Sequence, residues 1–341
     1  MKEAGFYEKV GEGQDVHCFL CAQHCRIKPG ERGKCAVREN RNGILETLVY
    51  SRPVAAHVDP IEKKPLYHFY PGTLSYSIGT VGCNFTCSFC QNADIAQPAG
   101  GSGMLSGREF RPSQVVEAAK SEGCASIAYT YTEPTIFMEY ALDICIIAQT
   151  EDIKNVFVTN GFMTRQALDA VSPYLDAANV DLKSFRDEFY RGQCGARLSP
   201  VLETIRAMKE KGIWVEVTTL IIPGLNDDPG ELRELAEFIV QNGPETPWHV
   251  SAFHPTHRLT DRGPTPAETL REARRIGLEA GLRYVYVGNI PGDVGRHTSC
   301  PECGEELINR GGYGARLTGV SEAACAGCGT EVPGEGLWSP E

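Results

Sequence analysis

Three cysteines in one loop, Cys83, Cys87 and Cys90, have the spacing C-x3-C-x2-C and follow an alternating apolar segment. Thiolates hold iron–sulfur clusters, for which four cysteines are the usual number. Three thiolates can hold three corners of a cubic cluster and leave the fourth iron without a protein ligand. Because catalytic metal sites keep one position open, we expect these cysteines to hold a [4Fe-4S] cluster that can bind a substrate or cofactor.

The chain contains 14 cysteines, and eleven of them fall into three groups. In a chain whose N-terminus lacks the apolar core of a signal peptide, such clustering indicates metal binding rather than disulfides. The groups are Cys18, Cys21, Cys25 and Cys35; Cys83, Cys87 and Cys90; and Cys300, Cys303, Cys325 and Cys328. Cys124, Cys145 and Cys194 are isolated. We expect the first two, which lie in apolar surroundings, to be small buried side chains.

The first cysteine group lies in residues 14–41, a segment too short to bury much apolar surface, so we expect a metal to stabilise it. Its spacing is C-x2-C-x3-C-x9-C. Thiolates suit both zinc and iron–sulfur clusters, so Cys18, Cys21, Cys25 and Cys35 are predicted to hold either zinc or an auxiliary cluster. His24 could replace one cysteine, and a reduced loop without metal is the alternative.

The last cysteine group consists of two C-x2-C pairs, each followed by a glycine: Cys300, Cys303 and Gly304, then Cys325, Cys328 and Gly329. Each pair can form a tight knuckle that offers both sulfurs to one metal, and two knuckles make a closed tetrahedral site. We expect zinc rather than rubredoxin-type iron, in a structural role. Zinc ribbons often bind nucleic acid, but this acidic segment has no basic face.

Length and charge limit the classes of protein to which this chain can belong. The chain has 341 residues, enough for one large α/β barrel domain with small appendages. Its net charge of -11, from 33 basic and 44 acidic residues, argues against a nucleic-acid-binding protein. No apolar run approaches the ~20 residues of a membrane span. We therefore expect a cytoplasmic protein without membrane contact.

Strands and helices alternate from residue 74 onward, as six strand–helix units and a last strand. The predicted strands are 74–78, 126–129, 155–158, 178–182, 214–221, 248–253 and 284–287. The predicted helices are 112–122, 135–149, 164–170, 201–211, 230–241 and 266–280, and Thr164 is the predicted N-cap of the third. This alternation predicts a parallel sheet with right-handed crossovers.

The region is shorter than the about 250 residues of a full eight-unit barrel, so we predict a partial, open (β/α)6 barrel. A doubly wound sheet is the competing architecture, although its G-x-G-x-x-G fingerprint is absent after the first strand. The predicted organisation is a cysteine-rich segment (1–43), a proline-punctuated lead-in (44–73), the barrel (74–297) and a zinc-ribbon-like segment (298–341).

Polar residues follow each predicted strand, where barrel active sites lie. The cysteine loop follows the first strand, and the others would surround the same mouth. The later strand ends carry 130–134, 159–161, Asp181 with Lys183, 223–226, 254–257 and 288–289. One such stretch alone would mean little, but seven converging on one face predict an active site at that mouth.

The loop 83–90, with Phe89 just before its last cysteine, resembles the signature of the radical S-adenosylmethionine (SAM) superfamily. Most of the chain, including both flanking cysteine groups, is similar to activating enzymes of the pyruvate formate-lyase type. It looks closest to the radical SAM protein of the AmmeMemoRadiSam system, on stretches such as 129–134, 180–185 and 251–255. The resemblance implies a [4Fe-4S] cluster whose open iron is chelated by the amino and carboxylate groups of SAM.

The resemblance also implies the residues that bind SAM: Glu133, Asn160, Asp181, Lys183 and His254. Glu133 matches the carboxylate of a Gly-Gly-Glu stretch in activases, but Tyr131 and Thr132 replace its glycines. Asn160 lies in a shared Thr-Asn-Gly segment, preceded here by Val158 where activases have an aspartate.

Simple charge complementarity agrees with these assignments. Glu133 or Asp181 can accept hydrogen bonds from the SAM ammonium, and Lys183 or His254 can meet its carboxylate. Other readings are open, because Asp181 and Lys183 could pair as surface charges, and Glu133 could serve only in a turn. We expect His17, His57 and His68 to be structural.

By resemblance, the function is reductive cleavage of SAM to methionine and a 5′-deoxyadenosyl radical, which abstracts hydrogen from a protein or small molecule. An activase of a glycyl-radical enzyme is one version. A non-catalytic, multi-cluster electron-transfer or cluster-carrier protein is the alternative, and a zinc-ribbon nucleic-acid modifier is a third. We expect an electron donor such as flavodoxin or ferredoxin as partner, and a monomer.

Overall fold

An eight-stranded sheet forms the centre of the fold in the computed structural model, which describes residues 2–11, 13–97, 106–311 and 314–337. In chain order the strands are β1 (Lys2–Glu3), β2 (Tyr7–Lys9), β3 (Val16–Cys18), β4 (Cys25–Ile27), β5 (Arg38–Arg41), β6 (Ile44–Thr47), β7 (Ala55–Pro60), β8 (Leu74–Gly79), β9 (Ser126–Tyr129), β10 (Lys154–Thr159), β11 (Ala177–Asp181), β12 (Trp214–Ile221), β13 (Trp248–Ala252), β14 (Val285–Gly288), β15 (Thr298–Ser299), β16 (Glu306–Gly311), β17 (Gly314–Leu317), β18 (Val320–Ser321) and β19 (Ala324–Cys325).

The helices lie mostly between the strands of this sheet. They are α1 (Ala93–Ala96), α2 (Pro112–Ser121), α3 (Met138–Thr150), α4 (Arg165–Val171), α5 (Asp187–Phe189), α6 (Ser199–Glu210), α7 (Pro229–Gln241) and α8 (Ala267–Glu279). A π-helical turn, Tyr190–Cys194, continues α5, and short 3-10 turns occur at Ile61–Lys63, Pro134–Phe137, Ser172–Tyr174 and Val294–Arg296. In the described part of the chain, none of the helices combines the length and hydropathy needed to cross a membrane.

The central sheet has the strand order β7-β8-β9-β10-β11-β12-β13-β14. Strands β8 to β14 are parallel neighbours, and β7 is antiparallel to β8. The strands follow one another in sequence order without a reversal, whereas a doubly wound sheet reverses direction at a switch point. With β7 and β14 as its two edges, the sheet is the predicted partial barrel, open between them.

Local sequence accounts for these elements. Strands β9 and β14 are almost wholly buried, as parallel strands covered on both faces should be. Helix α6 buries Val201, Ile205 and Met208 on one face, at helical spacing. Thr164 caps α4 as predicted, because its hydroxyl accepts a hydrogen bond from the Ala167 amide. Cys124 and Cys145 are buried, also as predicted.

The N-terminal segment forms two three-stranded sheets, β1-β6-β5 and β2-β3-β4. Their apolar side chains, including Val16, Leu20 and Val37, share one hydrophobic core with barrel residues such as Phe85 and Ile136. The N-terminal segment is therefore packed into the barrel rather than tethered to it.

The C-terminal segment has its own small core, which includes Leu307, Ile308 and Leu337. It is attached to the lead-in by hydrogen bonds from Arg310 Nη2 to Tyr67 O (2.7 Å) and between His68 Nδ1 and Pro333 O (2.7 Å). His68 is thus structural, as predicted. Residues 312, 313 and 338–341 of the predicted segment 298–341 lie outside the described residues.

Candidate functional site

The cysteine loop begins directly after β8, at the carboxyl end of the parallel sheet. Cys87 is buried, whereas Cys83 and Cys90 are half-buried. Gly82 has a φ of 96°, and a Cβ on it would lie 2.6 Å from Val37 Cγ1 and 2.7 Å from Cys35 O. Only glycine fits there, so the chain just before Cys83 runs in direct contact with the N-terminal segment.

Hydrogen bonds from the loops after two other strands hold the cysteine loop. The amides of Thr86 and Ser88 donate to Cys194 O and Gln193 O, each at 2.9 Å. From the loop after β13, Arg258 Nη2 donates to Thr86 O at 2.6 Å. The loops that hold the cysteine loop in place are therefore the ones that would also surround its ligand.

The three thiols of this loop are not gathered as closely as the ligands of a single metal ion. Among the described residues, only the four C-terminal cysteines bring three or more thiol, histidine or carboxylate ligand atoms within 4.8 Å of one another. Cys83, Cys87 and Cys90 thus do not converge on one point. Beside them the buried Asn84 Nδ2 has no hydrogen-bond partner, which leaves a polar donor available next to the site. Three spread thiols and a spare donor fit a [4Fe-4S] cluster.

Glu133 is fully buried, between the strand ends of β9 and β10. Its Oε1 accepts hydrogen bonds from the Thr135 amide (3.1 Å), the Thr135 hydroxyl (2.5 Å) and the Thr159 hydroxyl (2.7 Å). Its Oε2 accepts one from the Asn160 amide at 2.8 Å. Burial raises the pKa of this carboxyl, and these donors offset only part of the rise. A carboxylate accepts about four hydrogen bonds, so Glu133 has little capacity left for a ligand.

The same carboxylate explains why the predicted helix 135–149 begins later than expected. Glu133 caps a 3-10 turn, Pro134–Phe137, by accepting from the Thr135 amide, and the α-helix starts only at Met138. The predicted helix is present, but its first predicted turn is a 3-10 turn whose amide at Thr135 donates to the Glu133 carboxylate.

Asn160 links Glu133 to the cysteine loop. Its Nδ2 donates to Asn84 Oδ1 at 2.8 Å and lies 3.9 Å from Cys83 Sγ. Two of the predicted residues, Glu133 and Asn160, are therefore brought together and reach the first cysteine of the loop.

Tyr131 occupies a position where the activases that the sequence resembles have a glycine, and its backbone is left-handed, with a φ of 66°. Its phenol donates to Asp59 Oδ2 at 2.7 Å, and its carbonyl accepts from Asn92 Nδ2 at 2.7 Å. A non-glycine residue rarely adopts this conformation without a local reason. The backbone thus takes a glycine-like path although the glycine is missing.

Asp181 and Lys183, at the end of β11, form an ion pair with Nζ 2.8 Å from Oδ2. Burial alone lowers the pKa of Lys183, but Asp181, Cys87 and Cys194 outweigh it and raise that pKa well above its usual range. The ammonium is therefore held charged beside Cys87. The Asp181 side chain is 36% exposed, so it can reach a ligand in the mouth.

Cys194 was left unassigned from sequence, and it lies beside the cysteine loop. It ends the π-helical turn and is buried, and its thiol, next to that of Cys87, lowers the pKa of Cys87. Its isolation in the sequence gave no signal of this contact. π-Helical turns are rare and often mark functional sites, but no sequence pattern predicts them.

His254 lies in the loop after β13 and is exposed. Arg258 of the same loop reaches the cysteine loop, but the hydrogen bonds and ion pairs of the described residues do not connect His254 to the other predicted SAM ligands. The structure places its loop at the mouth and leaves the histidine on the surface.

The C-terminal cysteines form a compact site. Sγ of Cys300 is 3.6 Å from Sγ of Cys328, and Sγ of Cys303 is 3.6 Å from Sγ of Cys325. Gly304 and Gly329 each have a positive φ and donate their amides to the carbonyls of the first cysteine in each pair, which makes the two predicted knuckles. These four cysteines could bind one metal ion.

The N-terminal cysteines Cys18, Cys21, Cys25 and Cys35 line one enclosed hollow, together with Arg38 and Ile136. His24 does not line it. Its ring stacks on His17 at the surface, with centroids 5.5 Å apart, so the suggested exchange of His24 for a cysteine is not seen.

Comparison with known proteins agrees with this geometry. A model of the Radical SAM superfamily matches residues 77–239. The chain is 45% identical over 335 residues to the uncharacterized protein MJ0808 of Methanocaldococcus jannaschii, covering 97% of this chain and 99% of that protein. It is 21% identical over 208 residues to the pyruvate formate-lyase-activating enzyme of Clostridium pasteurianum, covering 59% and 87%. A solved radical SAM methyltransferase from Sphaerobacter thermophilus has a TM-score of 0.51 at 19% identity, over 64% of this chain and 67% of that one.

A partial barrel with a three-cysteine loop at its mouth, together with these matches, defines a class. The chain belongs to the radical SAM superfamily. Membership implies a [4Fe-4S] cluster and SAM as cofactors, and the likeness to activating enzymes is a distant one.

Proposed function

We propose that this chain is a radical SAM enzyme in which Cys83, Cys87 and Cys90 hold the [4Fe-4S] cluster. When bound, the cluster would supply one electron that cleaves SAM into methionine and a 5′-deoxyadenosyl radical, which takes a hydrogen atom from the substrate. The observation that carries this proposal is the Asp181–Lys183 pair beside Cys87, because it places one carboxylate and one ammonium next to the three-cysteine loop.

The remaining residues of the mouth bind and orient. Asp181 accepts hydrogen bonds from the SAM ammonium, and Lys183 meets its carboxylate, so both charges of the amino acid end are matched. Glu133 and Asn160 do not contact SAM in this proposal. They hold the strand ends beside Cys83 in position. His254, exposed in the loop after β13, is proposed to contact the SAM carboxylate. The four C-terminal cysteines are proposed to hold a structural zinc ion.

The test is anaerobic reconstitution with iron and sulfide, followed by SAM and dithionite. Methionine and 5′-deoxyadenosine should form in equal amounts, and the variant Cys83→Ala/Cys87→Ala/Cys90→Ala should form neither. A protein that carries an intact cluster and makes no 5′-deoxyadenosine over a long incubation would instead be an electron-transfer or cluster-carrier protein.

A more specific proposal, supported by the similarity to the pyruvate formate-lyase-activating enzyme, is that the hydrogen comes from a glycine of a partner polypeptide. Incubation of the reduced enzyme with SAM and purified pyruvate formate-lyase should then give a stable organic radical in the electron paramagnetic resonance (EPR) spectrum. SAM cleavage without that radical would remove this lyase as a substrate and leave the general activity standing.

A further inference from the structure

We propose that Cys18, Cys21, Cys25 and Cys35 hold a second [4Fe-4S] cluster, seated against the loop that carries Cys83. The inference concerns a site outside the SAM-binding mouth, and it stands whether or not SAM is cleaved. It depends on sulfur spacing, on an unpartnered buried donor and on contacts between the two cysteine-bearing segments.

The sulfur spacing separates this site from the C-terminal one. Four thiolates at about 2.3 Å from one zinc ion lie about 3.8 Å apart, close to the 3.6 Å seen for Cys300 with Cys328. No three ligand atoms of the N-terminal four lie within 4.8 Å of one another. In a cubic cluster each thiolate binds a different iron, so the sulfurs must stay apart. The cavity between them is small, about 10 Å³, so assembly of a cluster must also spread the thiols outward.

Arg38 places a buried cationic donor in the wall of the hollow. Only 1% of this residue is exposed, it lines the hollow, and its guanidinium donates to Glu139 Oε1 at 2.9 Å. Its Nε, however, is buried without a hydrogen-bond partner. Buried donors are nearly always paired. Sulfides and thiolates of a cluster accept such N–H groups, and hydrogen bonds of this kind tune the cluster potential.

The hollow adjoins the cysteine loop of the barrel. Gln23, which lies between Cys21 and Cys25, donates through Nε2 to Asn84 O at 2.8 Å. Cys35 O lies so close to Gly82, the residue before Cys83, that a Cβ on that glycine would be 2.7 Å from it. A redox-active cluster in this place suits one-electron exchange with the Cys83 loop, whereas zinc has no redox chemistry to offer.

The experiment uses the full chain with Cys83→Ala/Cys87→Ala/Cys90→Ala, which removes the ligands of the barrel site and leaves the N-terminal four. After anaerobic reconstitution, the wild type should hold about eight irons and this variant about four, four for each cluster. Dithionite should give the variant an EPR signal of one reduced cluster. The matched control Cys303→Ser/Cys328→Ser should lose its metal at the C-terminal site with no change in iron content.

Two results would overturn the proposal. One is a triple variant that binds no iron and holds two zinc ions, one at each flanking site. The other is a triple variant with no metal at all beyond the C-terminal ion. Adding Cys18→Ser and Cys21→Ser to the triple variant should remove the remaining iron; retention of about four irons there would place them on other residues and would equally contradict it.

Discussion

Two carboxylates at the mouth of the barrel, Glu133 and Asp181, have the same expected role from sequence and opposite surroundings in the fold. Glu133 is fully buried and accepts four hydrogen bonds from protein groups. Asp181 is 36% exposed and is paired with a single lysine. The difference indicates that Glu133 holds the strand ends of the mouth in place, whereas Asp181 is available to contact the ligand.

The most severe change should be Glu133→Ala. It would leave four donors from Thr135, Thr159 and Asn160 without a partner, and each unmet buried donor costs about 1–3 kcal/mol. Because the strand ends can relax in part, we expect the free energy of unfolding to fall by about 3–5 kcal/mol, measured by urea denaturation. Glu133→Gln, which keeps the shape, should lose less. A loss below about 1 kcal/mol for the alanine variant would show that Glu133 is not a structural support.

Asp181→Asn should have the reverse profile. We expect SAM affinity to fall about 10- to 100-fold, because a charge-assisted hydrogen bond is worth about 1.5–3 kcal/mol. The free energy of unfolding should fall by less than in Glu133→Ala, because only one buried group, the Lys183 ammonium, loses its partner. Calorimetric titration of SAM into the reconstituted protein measures the effect. Asp152→Asn, at an exposed position at the amino end of β10, is the matched control and should leave affinity unchanged. Equal losses of SAM affinity in Asp181→Asn and Asp152→Asn would show that Asp181 does not contact SAM, and the contrast between Glu133 and Asp181 would fail.

Sequence reasoning could predict the frame that carries both carboxylates, because strand alternation and cap chemistry are local. The strands β9 and β12 have their predicted bounds, and Thr164 caps α4 as expected. Sequence reasoning could not predict which of the two carboxylates already accepts its hydrogen bonds from protein groups. That depends on the Thr159 hydroxyl and the Asn160 amide, which reach Glu133 only after β9 and β10 pair.

The same limit explains the cysteines. The C-terminal knuckles follow from residues three apart and a glycine, so their geometry is local. Cys194 contacts Cys87 through a π-helical turn more than a hundred residues along the chain, and no local pattern encodes that approach. The strand β7 lies in the segment predicted only as a proline-punctuated lead-in, and its place at the sheet edge depends on pairing with β8.

Thr159→Val removes one of the four donors to Glu133 and keeps the β-branched shape. The free energy of unfolding should fall by about 1–2 kcal/mol, the value of one hydrogen bond to a charged group. A double-mutant cycle with Glu133→Gln measures how much of that loss passes through the carboxylate. If the two losses simply add, Thr159 is not coupled to Glu133, and the idea of a saturated carboxylate fails.

The smallest effect is expected for Tyr131→Gly. This variant tests whether the Glu133 side of the mouth depends on the backbone conformation at residue 131 rather than on the tyrosine ring. Tyr131 already has the left-handed φ of 66° that glycine adopts without strain. Relief of about 1 kcal/mol of strain offsets the loss of the phenol bond to Asp59, so stability should change by less than about 1 kcal/mol, and SAM affinity by less than about twofold. Thr132→Gly is the matched control. Thr132 has no positive φ and donates to Thr80 O at 2.9 Å, so that variant gains no relief and should lose about 1–2 kcal/mol. A larger loss for Tyr131→Gly than for Thr132→Gly would mean that the tyrosine ring, not the path of the backbone, shapes this side of the mouth.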